Sequence, residues 1–202
     1  MNETGGFRFR SGRLCLDFTA TLAARHREPV EQLAKTTDLG RWFVAASLAG
    51  QPPVITADEL LQARQLREAV HRLVHQETRE RPGSVDIDTL NLWASHCGPR
   101  PTLHSDARSS SLVAKHPVSA ALSSIASDAI DLLTGPRLGS VRECERPDCS
   151  VLILDTTRTQ QRRWCDMARC GNQEKAARHR HRRKATPHPS SDSDSELEAT
   201  RS

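Results

Sequence analysis

Four segments between residues 38 and 134 carry apolar side chains at the three- and four-residue spacing of an amphipathic α-helix. The first follows Asp38, a common N-cap residue type, and the second follows Thr56-Ala-Asp-Glu59, the pattern of a capping box. The fourth is predicted to begin at Pro117, since proline is favoured in the first turn of a helix. Glycine and proline clusters end the segments at Gly50, Pro82-Gly83, Gly98-Pro99 and Gly135-Pro136. The positions predicted to share the four helix faces are Leu39, Trp42, Phe43 and Ala46; Leu66, Val70, Leu73 and Glu77; Ile87, Leu90, Ala94 and Cys97; and Val118, Leu122, Ile125, Ala129 and Leu132.

Three other stretches have the pattern of strands or loops. Residues 7–18 alternate apolar and polar side chains on both sides of Ser11-Gly12, which predicts a short β-hairpin. Residues 102–111 are polar and predict a loop or a weak hairpin, whereas residues 151–154 are a short apolar run typical of a strand. The predicted fold class is mainly α, with a short N-terminal β-hairpin, a helical N-terminal domain and a small C-terminal module built from a β-hairpin and a helix.

Charged residues are distributed unevenly along the chain, which the small net charge of the whole protein does not show. The 202 residues have a formal net charge of +4, and 36% of them are hydrophobic, enough for one modest helical core. Residues 1–136 contain 15 Lys/Arg and 15 Asp/Glu, whereas residues 137–184 contain 13 and 6. The last eighteen residues contain one arginine and four acids. Positive charge is therefore concentrated in residues 137–184, and an anionic partner would relieve its self-repulsion.

Four cysteines in this basic block form two equally spaced pairs, Cys144-x4-Cys149 and Cys165-x4-Cys170. Each pair can hold one edge of a tetrahedral metal site, while the segment between the pairs folds back as a hairpin. No N-terminal stretch resembles a signal peptide, so we expect a cytoplasmic protein, in which paired cysteines bind metal more often than they form disulfides. The spacing predicts one structural Zn²⁺ on four thiolates, without the open position that a catalytic zinc needs.

Two alternatives to this zinc site stay open at the level of sequence. The pairs could be redox-labile and release zinc on oxidation, or His179 or His181 could replace one cysteine as a ligand. Cys15 and Cys97 are expected to be buried apolar residues. Trp164, beside the second pair, is expected to pack over the zinc hairpin.

A basic helix is predicted directly after the last cysteine. Residues 173–184 contain neither glycine nor proline, and Asn172 can cap their first turn. This stretch contains six lysines and arginines and one acidic residue, Glu174. Neutralisation of phosphates by such a helix supplies affinity for DNA of any sequence. The residues predicted to contact double-stranded DNA are Arg162, Arg163, Asn172, Gln173, Lys175, Arg178, Arg180, Arg182 and Arg183.

Two runs of residues resemble known families. Arg162-Arg-Trp-Cys-Asp-Met-Ala-Arg-Cys-Gly-Asn172 is similar to the CGNR zinc finger. Gly12-Arg-Leu-Cys-Leu-Asp-Phe18, followed by Asp38-Leu39, resembles the ABATE domain that usually precedes that finger. The resemblance implies a bacterial, stress-induced transcriptional regulator. Two positions depart from the pattern, because Gln173 stands where the finger has an arginine and Ala20 where the opening motif has an asparagine that could line a ligand pocket.

Together the patterns predict an ABATE-like regulatory domain over residues 7–136, a CGNR-type finger with its basic helix over 137–184, and a disordered acidic tail over 185–202. We expect a DNA-binding regulator associated with the nucleoid, whose N-terminal domain binds a small-molecule or protein effector or forms a homodimer. The alternative is a zinc-dependent adaptor for RNA or a protein partner. An enzyme is not expected, because no phosphate loop, nucleophile elbow or His/carboxylate metal motif precedes residue 137. A membrane partner is not expected either, because no run of 18 apolar residues occurs.

Overall fold

The computed structural model describes residues 3–75 and 83–185, and the side chains of residues 5–75 and 83–180. Over these residues the helices are α1 Leu14–Thr19, α2 Thr36–Ala45, α3 Ala57–Val74, α4 Ser84–Ala94, α5 Pro117–Thr134 and α6 Asn172–Ala185. Antiparallel hairpins pair β1 Glu3–Thr4 with β2 Phe7–Arg8, β3 Leu22–Ala23 with β4 Val30–Glu31, β5 Arg100–Leu103 with β6 Ser110–Val113, and β7 Val141–Glu143 with β8 Leu152–Leu154. The mainly α fold class is confirmed. Within the described part of the chain, no helix is long and apolar enough to cross a membrane.

Helices α1, α3, α4 and α5 pack against one another around one apolar core. The predicted stripes on α3 and α5 face this core, since Leu66, Val70, Leu122 and Ile125 are fully buried. The capping box before α3 is confirmed, because Thr56 accepts the amide N–H of Glu59 while the Glu59 carboxylate accepts that of Thr56. Such a box satisfies two of the amide groups that a helix start leaves unpaired.

The opening segment differs from the predicted hairpin over residues 7–18. The N-terminal hairpin lies earlier, between β1 and β2, and residues 14–19 form α1 instead. Cys15, Leu16 and Phe18 are all fully buried, so α1 is enclosed on most sides and its sequence does not show helical periodicity. Gly12, at φ +85°, provides the left-handed turn before α1. The Asp17 carboxylate accepts the amide N–H groups of Arg10 and Ser11, both at 2.8 Å, and so holds that turn in place.

Other details of the predicted helices also need correction. Helix α2 starts at Thr36, and Asp38 lies in its first turn, where its carboxylate accepts the amide N–H of Lys35 at 2.9 Å. Helix α4 buries Leu90 and Trp93, whereas Ile87 is exposed. Cys97 is exposed, so its predicted burial is wrong, while that of Cys15 is confirmed. The predicted weak hairpin is present as β5 and β6.

Three predictions at helix and chain ends concern residues beyond the described ranges. Helix α3 ends at Val74, before the predicted end at Pro82-Gly83. Glu77, assigned to the same stripe, lies outside the described residues. So does the predicted acidic tail from residue 186 onward.

The C-terminal hairpin β7–β8 packs directly on the helical core. Leu152 and Leu154 are 2% and 1% exposed, and both belong to the same buried cluster as the core residues of α1, α3 and α5. The amide N–H of Leu154 donates to the carbonyl oxygen of Ser11 at 2.7 Å, which joins β8 to the turn before α1. The predicted domain boundaries stay predictions, but the two predicted units share one apolar core.

A chain of charged pairs fixes the loop between β3 and β4 against α3. Arg67, only 3% exposed, donates to both carboxylate oxygens of Glu31 at 2.7 Å each and to Glu68 at 2.8 Å. Glu68 also accepts Arg25 at 2.6 Å. The amide N–H of Arg25 in turn donates to Ser150 Oγ at 3.0 Å, so this loop reaches the C-terminal module. Because Arg67 is buried and fully paired, removing one partner would leave an uncompensated charge.

Replacement of Leu154 by alanine should destabilise the whole chain. The substitution removes a side chain from the core shared by both units, and we expect a loss of about 2–4 kcal/mol in the free energy of unfolding. Urea unfolding followed by far-UV circular dichroism, with zinc present, measures it. The matched control is Leu103→Ala in β5, whose side chain is 67% exposed and should cost less than about 0.5 kcal/mol. Equal effects of the two substitutions would contradict a shared core.

Candidate metal centre and basic helix

The first cysteine pair lies in the loop that joins β7 to β8. Cys144 follows β7 directly, and its amide N–H donates to the carbonyl oxygen of Val151 at 3.0 Å, which extends the hairpin by one residue. The amide N–H of Cys149 donates to the carbonyl oxygen of Arg146 at 2.9 Å and closes a tight turn. The hairpin therefore encloses the first pair, whereas the spacing alone had placed a hairpin between the two pairs.

The second pair lies at the start of the terminal helix. Cys165 precedes a π-helical turn, Met167–Gly171, and Cys170 lies within that turn, which continues into α6. Asp166 caps the turn, because its carboxylate accepts the amide N–H of Ala168 at 2.9 Å. The prediction that Asn172 is the N-cap is therefore wrong: Asn172 has helical dihedral angles and continues the helix.

The four sulfurs fit one tetrahedral zinc ion. All four Sγ atoms lie within 4.8 Å of one another, with 3.7 Å between Cys149 and Cys165 and 3.5 Å between Cys165 and Cys170. A Zn–S bond of about 2.3 Å gives tetrahedral edges of roughly 3.8 Å. These separations are far longer than the bond of about 2.05 Å in a disulfide. Four thiolates on Zn²⁺ make a closed structural site, because no position remains for water or substrate.

The surroundings of the sulfurs support this assignment. Cys144 and Cys170 are buried, and the amide N–H of Cys165 points at Cys144 Sγ at 3.4 Å, as expected for a thiolate acceptor. Gly171 allows close packing here, since a Cβ atom at that position would lie 3.2 Å from Trp164 Cδ1. The half-buried Trp164 ring is covered by the Arg163 guanidinium at 5.2 Å. His179 is exposed on α6 and does not belong to the metal-ligand group, and the side chain of His181 lies outside the described set.

A carboxylate next to the metal site joins the finger to the helical part. Glu143, in β7, accepts His26 at 2.5 Å on one oxygen and His75, just after α3, at 2.7 Å on the other. Burial raises the pKa of Glu143, but the hydrogen bonds from His75 and His26 outweigh it and bring the pKa below its ordinary value. Glu143 is therefore held as a carboxylate that spans the contact between the two units.

The predicted DNA-contact residues fall into two groups, those on α6 and those that precede it. Asn172, Gln173, Lys175, Arg178 and Arg180 are exposed on α6, where Arg178 forms an ion pair with Glu174 at 3.1 Å. The side chains of Arg182 and Arg183 lie outside the described set.

Arg162 and Arg163 precede α6 and differ in their surroundings. The Arg162 guanidinium donates to the carbonyl oxygens of Arg10, Trp164 and Cys165, so the structure gives it a structural role. Arg163 is exposed and pairs with Glu145 at 2.5 Å. No contact of either residue tests its predicted role toward DNA.

Two residues that the sequence analysis did not assign also belong to this region. Arg10, far earlier in the chain, forms an ion pair with Asp166, the residue that caps the π-helical turn. Arg169 is exposed between the ligands Cys165 and Cys170. A basic residue between two metal ligands is a signal that could have identified Arg169, whereas nothing local could have linked Arg10 to the finger.

Comparison with protein families agrees with this geometry. Residues 140–183 match the CGNR zinc finger. Residues 12–136 match the ABATE family, described as a putative stress-induced transcription regulator. The chain belongs to the ABATE family. Its four cysteines are thus the ligands of one structural zinc ion in the CGNR finger that follows the ABATE region. No curated protein matches this ABATE-family chain.

In this ABATE-family protein, Cys170→Ser should abolish zinc binding. The substitution removes one of four thiolates from a closed site, and zinc supplies folding energy on the order of 10 kcal/mol to such modules. We expect close to one zinc per chain in the unmodified protein and little in the variant, measured by inductively coupled plasma mass spectrometry. Because β8 belongs to the shared core, the helical part should also unfold at lower urea concentration.

The control for the cysteine substitution is Cys97→Ser. Cys97 is exposed and lies outside the metal-ligand group, so this variant should keep both its zinc and its stability. A Cys170→Ser protein that retains stoichiometric zinc would show that a different residue completes the site. Loss of zinc from Cys97→Ser would show the same.

Proposed function

We propose that this ABATE-family protein is a transcriptional regulator rather than an enzyme, and that it binds double-stranded DNA through α6 of its zinc finger. The observation that carries the proposal is the set of exposed cations Lys175, Arg178 and Arg180 on a helix that continues directly from the turn that holds Cys170. The finger region is also the part of the chain in which positive charge is concentrated, with 13 Lys/Arg against 6 Asp/Glu over residues 137–184.

The zinc site gives these cations a fixed position. The π-helical turn that holds Cys170 continues without a break into α6, so the helix start cannot move independently of the metal. An α-helix fits the major groove of B-DNA, where side chains can reach both phosphates and base edges. The ion pair between Arg178 and Glu174 is exposed and spans one helical turn, so it is weak and can give way to a phosphate.

A single finger of this size forms a small interface, of the order of 600–1,000 Å². Tight binding to an operator therefore calls for two copies, and we propose that the ABATE region provides the dimer contact, an effector site, or both. The description of the family as a putative stress-induced transcription regulator supports a role in a stress response. In this scheme the ABATE region decides when the protein binds, while the finger supplies the DNA contacts.

One observation favours a second candidate, an adaptor for single-stranded RNA or a protein. An open groove beside the second cysteine pair is lined by Phe9, Trp164 and Met167, and the Met167 side chain is 57% exposed. Arg163 lies over the Trp164 ring at the same groove. Aromatic and cationic surfaces of this kind can stack unpaired bases or cover a hydrophobic peptide.

Replacement of Lys175, Arg178 and Arg180 together by alanine should weaken duplex binding and reduce its dependence on salt. Each phosphate contact contributes about 0.9 to the slope of log K against log salt, so the slope should fall by roughly 2–3. Fluorescence anisotropy with a labelled random-sequence duplex of about 20 base pairs, at several salt concentrations, measures both quantities. A labelled single-stranded RNA of the same length tests the adaptor candidate in parallel.

The matched control removes three exposed cations from the β5–β6 region, Arg100, Arg108 and Lys115. Both triple variants lower the net charge by the same amount, so any difference between them reflects position rather than total charge. Duplex binding that is lost equally in both variants would contradict a binding surface on α6. Preferential binding of the single-stranded RNA would favour the adaptor.

A further inference from the structure

The four zinc ligands differ in their exposure to solvent. Cys144 and Cys170 are 4% and 3% exposed, whereas Cys149 and Cys165 are half-buried. Cys149, Cys165 and Cys170 border a cavity of about 360 Å³ between the ABATE region and the finger. Cys165 also lines the open groove beside the second pair. Since one water takes up about 30 Å³, molecules of a few atoms fit into the cavity and reach Cys149 and Cys165 most easily.

The sulfurs at this cavity are electron-rich. A cysteine that binds zinc is held as a thiolate, which is the nucleophilic form of the side chain. Four thiolates more than neutralise one Zn²⁺, so part of the negative charge stays on the sulfurs. Asp17, Asp148 and Asp166 border the same cavity and, together with this excess, outweigh its arginines. The surroundings therefore disfavour an anionic reagent and admit a small neutral one.

Cys149 and Cys165 are also placed to react with each other. Their Sγ atoms lie 3.7 Å apart, so they must approach by roughly 1.7 Å to form a disulfide bond of about 2.05 Å. Cys149 lies in the loop between β7 and β8, and Cys165 precedes the π-helical turn, so neither is part of a helix. Cys170 lies 3.5 Å from Cys165, but it is held inside that turn, where its amide N–H donates to the carbonyl oxygen of Asp166 at 2.9 Å.

We propose that Cys149 and Cys165 form an oxidation site for a small neutral peroxide, such as H₂O₂, and that their disulfide releases the zinc ion. One thiolate attacks a peroxide oxygen, the O–O bond breaks, and the products are a sulfenic acid and hydroxide. The other thiolate attacks the sulfenic sulfur, forms the S–S bond and expels a second hydroxide. The two sulfurs lose two electrons, the peroxide gains them, and two protons from solvent convert the hydroxides to water.

The disulfide leaves Cys144 and Cys170 as the remaining thiolates, and two ligands do not make a closed site of four. Cys170 lies in the turn that continues into α6, so loss of the metal releases the start of that helix. The effect on DNA rests on the proposed function, in which cations on α6 contact the duplex. Oxidation should then weaken duplex binding, and a reductant supplied with zinc should restore it.

Zinc release and disulfide formation are measured without DNA, so the two proposals fail in different ways. A protein that binds the duplex but keeps its zinc in peroxide retains the regulator and loses the oxidation site. A protein that releases zinc on oxidation but binds no duplex before oxidation does the reverse.

The experiment uses the zinc-loaded full chain with the substitution Cys97→Ser, because Cys97 is an exposed thiol outside the metal-ligand group. Hydrogen peroxide is added at neutral pH, and a colorimetric chelator in solution measures the zinc that is released. We expect the protein to lose its zinc and to recover it when dithiothreitol and zinc are added. Reduced glutathione in a parallel sample shows that the peroxide concentration oxidises an ordinary thiol.

Mass spectrometry of the unreduced protein locates the disulfide. Trypsin cleaves after Arg169 and so separates Cys165 from Cys170. Cleavage before Asp148 separates Cys144 from Cys149. The expected product is a peptide pair joined through Cys149 and Cys165.

Histidine variants test which thiolates react, because three cysteines and one histidine also make an ordinary zinc site. Cys149→His and Cys165→His each remove one sulfur of the pair, so they should bind zinc and lose the response to peroxide. The matched control, Cys144→His, keeps both sulfurs and should still release zinc. Zinc content is measured before oxidation, and for any variant that binds no zinc the position of the disulfide in the Cys97→Ser protein decides.

A further control addresses Met167, an exposed sulfur beside the ligands whose side chain is also open to oxidation. Met167→Leu should release zinc at the same rate as the Cys97→Ser protein.

Three results would overturn the proposal. The first is zinc that stays bound at a peroxide concentration that oxidises glutathione. The second is a disulfide that contains Cys144 or Cys170. The third is loss of the peroxide response in Met167→Leu, because the oxidised group would then be the thioether rather than the cysteine pair.

Discussion

The packing of β8 on the helical core is the contact on which the rest of this structure depends. Leu152 and Leu154 are buried in the same cluster as the side chains of α1, α3 and α5, and the strand is bonded to Ser11 through its backbone. The first cysteine pair precedes this strand in the chain and the second pair follows it. Zinc therefore stabilises a hairpin that is already part of the core. A module of fewer than fifty residues can hardly build a core of its own. Here the zinc ion and the contact with the helical core together stabilise it.

This shared core determines how the two parts can communicate. The Glu143 carboxylate accepts hydrogen bonds from His26 and His75, which lie in two separate segments of the ABATE region. Arg10 forms an ion pair with Asp166, which caps the turn that holds Cys170. Because α6 continues from that turn, the orientation of its cations is set by contacts with the ABATE region as well as by zinc. A change at the contact between the parts therefore has a direct structural route to the surface that we propose for DNA.

The sequence pattern predicted the elements that are determined by neighbouring residues. It failed for the features that depend on contacts with distant parts of the chain. Helices α3 and α5 follow from apolar stripes and capping residues, and the metal ligands follow from cysteine spacing. Helix α1 was missed because it is buried on most sides, so no polar face marks its period. Arg162 also donates to Trp164 and Cys165 nearby, but its bond to the carbonyl oxygen of Arg10, 152 positions away, could not be predicted, because such a contact leaves no trace in the residues around either one.

Hydrogen–deuterium exchange before and after removal of zinc by a chelator tests the central claim most directly. If zinc holds a hairpin that belongs to the core, its removal should speed exchange in β7 and β8 and also in the turn and helix at residues 10–19, to which β8 is bonded. The β5–β6 hairpin, which is distant in these contacts, should keep its exchange rate. Faster exchange confined to residues 141–185 would contradict the account, because the finger would then fold and unfold by itself.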